Sequence, residues 1–212
     1  MNKKLKNKKL ILATHNQGKI KEFKLLLSDL NFDLLNLSHF NITDEPIEDG
    51  DTFSQNAGIK INFYYNKIKN SGFNFDNEAY LISEDSGIEI NFLNGAPGIN
   101  SARYGGNINS KERNKLVISN LKKAGVNDRV ARYVCCINIL NFYNEEIKEF
   151  TGFLDGRISE KSYSGEGFGY DPIFIPAGYN ETISKLGYDL KNKISHRSVA
   201  IEKMINVVFK NE

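Results

Sequence analysis

Glu84 and Asp85 are adjacent carboxylates at the end of an apolar run, Ala79–Ile82. Ser83 precedes them, and Ser86–Gly87 lead into a second apolar-rich run, Ile88–Leu93. Acidic residues are poor strand formers and costly to bury unpaired. The pair therefore predicts a strand end followed by a turn. The acids there serve either a solvated turn or a hard cation such as Mg²⁺.

Other segments carry residue types suited to a phosphorylated ligand. Thr14-His15-Asn16-Gln17-Gly18-Lys19 is a polar turn between an apolar run and a helical pattern. A helix N-terminus offers unpaired backbone N–H groups and a positive dipole end. The turn differs from a P-loop: the early Gly is absent, and Ile20 follows the Lys where Ser or Thr is required. An ordinary capped turn explains it equally well. Ser195-His196-Arg197 opens a second helix, with Lys191 and Lys193 upstream. Basic groups there oppose the macrodipole, so the cluster reads as an acceptor-rich ligand site or as surface ion pairs. Gly165–Pro172 (GEGFGYDP) sets flexible backbone beside Phe168 and Tyr170. That suits a stacked flat ring, or a tight turn with Phe168 in the core. The loop Gly95–Gly106 contains Pro97, Ser101 and Arg103, and Arg103 suits either phosphate or an acid partner.

The elements that position these segments follow from periodicity. Lys9–Thr14 reads as a strand, Lys19–Leu30 as a helix and Phe32–Leu37 as a strand. The loop Ser38–Gly50 is acidic, with Asp44, Glu45, Glu48 and Asp49. Asp51 or Thr52 caps a long helix whose core stripe is Phe53, Ala57, Ile61, Tyr64 and Ile68. Ser110 caps a helix to Ala124, closed by Gly125. Val130–Tyr143 is apolar on both faces, as in a central strand, with Glu146–Ile158 as its antiparallel neighbour. The last helix starts at its cap, Ser195. The order predicts an α/β or α+β mixed sheet with helices on its faces.

With 212 residues, 40% of them hydrophobic, the chain suffices for one domain, or one domain with two lobes. Residues 1–8 read as a basic flexible tail and 9–212 as the single folded domain. The five lysines of Met1–Leu10 sit on no apolar segment, which argues against a secretory signal. Without them 23 basic residues face 26 acidic ones, so the body is slightly acidic and unlike a nucleic-acid binder. No run approaches the roughly 18 apolar residues of a membrane span. Cys135 and Cys136 are neighbours on a strand and face opposite sides, so they read as buried free thiols of a reducing, cytoplasmic protein.

Five segments in this order resemble the inosine/xanthosine triphosphate pyrophosphatases: Ala13–Lys19 (ATHNQGK), Ser83–Gly87 (SEDSG), Gly95–Gly106, Gly165–Phe174 and Lys191–Arg197. The resemblance spans Lys9 to Phe209. It implies an elongated mixed α/β sheet with flanking helices and two lobes around a nucleotide-binding cleft. It also implies a homodimer and Mg²⁺-dependent hydrolysis of ITP, dITP and XTP to the monophosphate and pyrophosphate. Thr14, Asn16 and Lys19 match the triphosphate-binding turn. Glu48 matches a metal-ligating carboxylate and Lys60 a phosphate-contacting lysine. Asp85 matches the carboxylate that binds Mg²⁺ and activates water for attack on the α-phosphorus, with Ser86 beside it on the substrate. Phe168, Gly169, Tyr170 and Asp171 match the base-binding segment. Lys191, His196 and Arg197 match the closing contacts, and lysines 19, 60 and 191 would offset the triphosphate charge.

Base choice has a physical side. Hypoxanthine and xanthine present a 6-oxo acceptor, adenine a 6-amino donor, and arginine only donates. An adenine facing Arg197 leaves donors unpaired, at about 1–3 kcal/mol per buried group. Two positions depart from the family pattern. Glu84 stands where the first acid is usually Asp. His15 replaces a smaller or uncharged residue, and its protonation would add pH-dependent phosphate affinity.

Overall fold

The computed structural model describes residues 8–30, 32–73, 75, 78–125 and 128–210. Of the expected basic tail, residues 1–7 lie outside the described residues. Lys8 is buried, with its ammonium 3.1 Å from Glu78 and over the Tyr80 ring.

Among the described residues six strands and five α-helices follow in order: β1 (Lys9–Leu12), α1 (Gln17–Leu26), β2 (Asp33–Asn36), α2 (Phe53–Asn70), β3 (Ala79–Ile90), α3 (Ser110–Lys123), β4 (Val130–Asn141), β5 (Ile147–Ile158), β6 (Phe174–Pro176), α4 (Ile183–Ile194) and α5 (His196–Val208). They form one mixed sheet of order β2-β1-β3-β4-β5-β6. β1 is parallel to β2 and β3, with Leu10 opposite Leu34 and Tyr80, and β5 and β6 are antiparallel. β4 and β5 make the expected antiparallel pair. Asn141 N donates to Glu146 O at one end of the hairpin, and Ile158 N donates to Arg129 O at the other.

The chain divides into two compact units. The first holds Met1–Asp85, Cys136–Thr151 and Ala200–Glu212, and the second holds Ser86–Cys135 and Gly152–Val199. In the first unit the predicted stripe of α2 packs Ile61, Tyr64 and Ile68 against Ile11, Leu81 and Leu140. In the second, Val117 and Leu121 of α3 pack with Ile88, Tyr133 and Phe174. The two free cysteines are buried, as expected. Among the described residues no helix is long and apolar enough to cross a membrane.

The structure corrects several local expectations. β3 does not end at Ser83: it runs unbroken through Glu84 and Asp85 to Ile90, because lysines meet both acids. Gly87 is therefore a strand residue. A Cβ there would lie 2.3 Å from Ser101 Oγ, which accepts from the amide of the next residue, Ile88, so glycine permits a close approach. Of the two caps expected for α2, Asp51 or Thr52, it is Thr52 that accepts from Gln55 N, as that expectation allowed. α3 is capped by Asn109 rather than Ser110, in a box closed by Glu112. β6 and α4 were not expected. α4 is two helical pieces broken at Gly187 (φ 81°), which interrupts the periodicity that would reveal it. Ser195 does cap α5, its hydroxyl accepting from Ser198 N.

Asn109→Ala is expected to destabilise the protein by about 1 kcal/mol in denaturant unfolding, and Ser110→Ala by much less. Equal losses would return the cap to Ser110.

Candidate functional site

The first unit brings most of the predicted phosphate and metal residues together. Ser83 and Asp85 share one face of β3, two residues apart. Ala57 and Lys60 share one face of α2, three residues apart. Ser83 Oγ donates to Ala57 O at 2.7 Å and docks the helix on the strand. One turn on, Lys60 Nζ lies 3.0 Å from Asp85 Oδ1 and 2.8 Å from Glu48 Oε2. One ammonium thus holds both carboxylates expected to bind metal. Glu48 is steadied by its loop, where Gly50 N donates to the fully buried Asn56 of α2. Asn56 carried no sequence signal, since a polar residue on a helix reads as surface.

Glu84 points to the opposite side of the strand from Asp85. Its carboxylate, 2% exposed, pairs with Lys19 at 2.8 Å. Lys19 belongs to the first turn of α1, where Asn16 Oδ1 accepts from Lys19 N and Thr14 Oγ1 accepts from Asn16 N. Thr14 and Asn16 therefore build the turn. His15 sets its ring edge-on to Tyr64 at 6.2 Å, and its enclosed Nε2 has no hydrogen-bond partner among the described residues.

Burial pushes the Asp85 carboxyl up, and Glu48 adds to this, although Lys60 and Lys19 pull it down. Burial works against the Lys60 ammonium too, but Asp85 and Glu48 outweigh it and raise its pKa. Asp85 Oδ2 is buried, and no donor among the described residues reaches it. Among the described residues no three His, Cys, Asp or Glu side chains converge as a protein cage for a metal. Mg²⁺ needs none: it binds through one or two carboxylates plus substrate phosphates. Two hard carboxylates, one with an orphaned oxygen, fit that requirement.

The second unit assembles the predicted base-binding residues. Asp171 is 1% exposed, and its Oδ2 accepts from Lys191 Nζ at 2.6 Å and from Phe168 N at 2.8 Å. Gly167 (φ 102°) lies so close that a Cβ would sit 2.3 Å from that oxygen. Lys191 is also buried, with its ammonium 4.5 Å from the Phe168 ring centroid. Its charge here faces Asp171. Phe168 is half-buried, so it did not drop into the core. Tyr170 did: its hydroxyl donates to Ser101 O at 2.8 Å, and burial raises its pKa. Gly169 O accepts from the buried Asn114 of α3. Arg197 is 1% exposed and donates to Ser86 Oγ at 3.1 Å, while His196 stacks on Tyr133. Arg103 donates to Asn100 Oδ1 at an exposed position.

Three further residues were missed. Tyr133 lay in an apolar run and Asn114 on a helix with no motif. Glu166 is exposed, but its carboxylate accepts from Tyr188 N, the first amide after the α4 break. Gly187 has no side chain to cap that second helical piece, so Glu166 supplies the acceptor.

A family model for the Ham1 family matches residues 10–207. The chain belongs to the Ham1 family. It is 38% identical over 198 residues to the dITP/XTP pyrophosphatase of Clostridium perfringens, covering 93% of this chain and 95% of the relative. The dITP/XTP pyrophosphatase of Bacillus subtilis matches at the same identity and coverage. Among solved structures, the Staphylococcus aureus Ham1 protein superposes with a TM-score of 0.79 at 32% identity, covering 97% of this chain and 100% of the other. A HAM1 protein from Coxiella burnetii gives 0.80 at 32% identity, covering 95% and 98%. The mixed α/β architecture expected from the sequence is thus the architecture of this family.

The charge balance at Asp85 is testable in the metal-free protein. Its folded pKa lies above its unfolded one, so its ionisation opposes folding, and this cost grows as the pH rises through the folded value. Asp85→Asn is expected to raise the metal-free melting temperature at neutral pH. Lys60→Met removes a lowering charge and should move the Asp85 carboxyl titration, followed by ¹³C NMR, to higher pH. A downward move, or a less stable Asp85→Asn, would contradict the assignment.

Proposed function

We propose that the chain hydrolyses non-standard purine nucleoside triphosphates (ITP, dITP and XTP) to the monophosphate and pyrophosphate, clearing them from the nucleotide pool. The observation that carries this is the relationship, over 93% of the chain, to proteins named dITP/XTP pyrophosphatase. We further propose that it works with Mg²⁺, as a homodimer, in the cytoplasm.

Each cluster has a task in this reading. The α1 turn receives phosphate oxygens through backbone amides at a helix N-terminus and through Lys19. Lys60 keeps Asp85 and Glu48 side by side as carboxylates. Asp85 Oδ2, reached by no donor among the described residues, takes the proton from the attacking water. The water oxygen bonds to the α-phosphorus, the bridging oxygen bond breaks, and pyrophosphate leaves. Mg²⁺, held by Asp85 and Glu48, would neutralise phosphate charge and acidify the bound water. Phosphoryl transfer depends mainly on such positioning and charge neutralisation. Phe168, backed by the Lys191 ammonium, offers the base a stacking surface, and Arg197 offers only donors, which favours a 6-oxo purine.

The experiment is product release from ITP, XTP, GTP and ATP with Mg²⁺, for the natural protein and Asp85→Asn. Fast pyrophosphate release from ITP and XTP alone is expected, with a loss of about 10²–10⁴-fold or more in Asp85→Asn. Orthophosphate in place of pyrophosphate would contradict attack at the α-phosphorus. ITP binding without turnover would make the chain a nucleotide-binding protein.

A further inference from the structure

Tyr133 sits within β4, in a run whose sequence reads only as core, and it is 6% exposed. Its side chain makes two unrelated contacts, one with Asp171 of the base-binding segment and one with His196 of the closing contacts. The hydroxyl donates to Asp171 Oδ1 at 3.2 Å. The ring lies on the His196 imidazole at 4.6 Å, with 6° between the planes. Phe174 packs on Tyr133 at 4.6 Å and 54°.

These contacts do more than fill space. Asp171 Oδ2 already takes Lys191 and the Phe168 amide, so a donor on Oδ1 fixes the carboxylate from its other side. That carboxylate in turn sets where Phe168 and Lys191 lie. The near-parallel stack fixes the plane in which the His196 nitrogens point, because ring nitrogens make hydrogen bonds in the ring plane. His196 and Asp171 come from separate segments of chain. Tyr133 references both to the same strand.

We propose that Tyr133 is a positioning residue for base recognition, setting the Asp171 rotamer and the His196 ring plane together. The inference rests on the proposed function, since the base it serves is a 6-oxo purine. Phenylalanine at this position keeps the volume and the stack and removes only the donor. Leucine removes both.

The test compares kcat and KM for XTP, ITP and GTP in the natural protein, Tyr133→Phe and Tyr133→Leu, with melting temperatures alongside. In Tyr133→Phe the preference for ITP over GTP should fall about threefold to tenfold, as for one hydrogen bond, with the loss mainly in KM. Tyr133→Leu should lose more. A purely structural tyrosine would lower the melting temperature and leave the preference unchanged, and that result in Tyr133→Phe overturns the inference even if Tyr133→Leu does not fold. Absence of the preference in the natural protein would instead refute the proposed function, and the role of Tyr133 with it.

Discussion

Two carboxylates stand next to each other inside β3, and two lysines from different helices hold them there. Alternation sends Glu84 and Asp85 to opposite sides of the strand, so neither can relieve the other. Lys19 reaches Glu84 from the first turn of α1, and Lys60 reaches Asp85 from the middle of α2. A buried pair with poor geometry would cost more than it returns. Here the ammonium-to-carboxylate distances are close to 3 Å, and Lys60 is shared with Glu48. The strand stays continuous because its charges are answered, and the acidic loop and both helices are placed by answering them.

The same balance leaves chemistry available. Lys60 engages one oxygen of Asp85, and among the described residues no donor meets Oδ2. Burial raises the carboxyl, so it is a better proton acceptor than a solvated aspartate. Such a group is costly to the fold and useful to a reaction that must remove a proton from water. In the second unit the pattern repeats with a different purpose. Asp171 and Lys191 are buried together, but there the carboxylate is held on both oxygens and serves as an anchor for neighbouring side chains.

Much of this was legible in the sequence. The α2 stripe follows the helical period cleanly, so the helix and its core face were read correctly. The motif segments named Lys19, Asp85, Asp171 and Arg197, the family resemblance added Lys60, and the fold brings them into two clusters. What was not legible is tertiary. Glu84 and Asp85 looked like a strand terminus because their partners lie dozens of residues away. Gly187 hid α4 by breaking its period, and the acceptor that restores the lost cap, Glu166, comes from another loop. Tyr133 looked like core because it is core, and its hydroxyl matters only once Asp171 is placed against it.

Lysines hold the buried acids of β3 in place, and a double-mutant comparison measures that dependence. Lys19→Met, unfolded in denaturant, should lose about 3–5 kcal/mol, since it leaves Glu84 charged and buried. Lys19→Met combined with Glu84→Gln should recover most of that loss. If Lys19→Met unfolds at the same denaturant concentration as the natural protein, the pairing does not hold the strand, and the account fails.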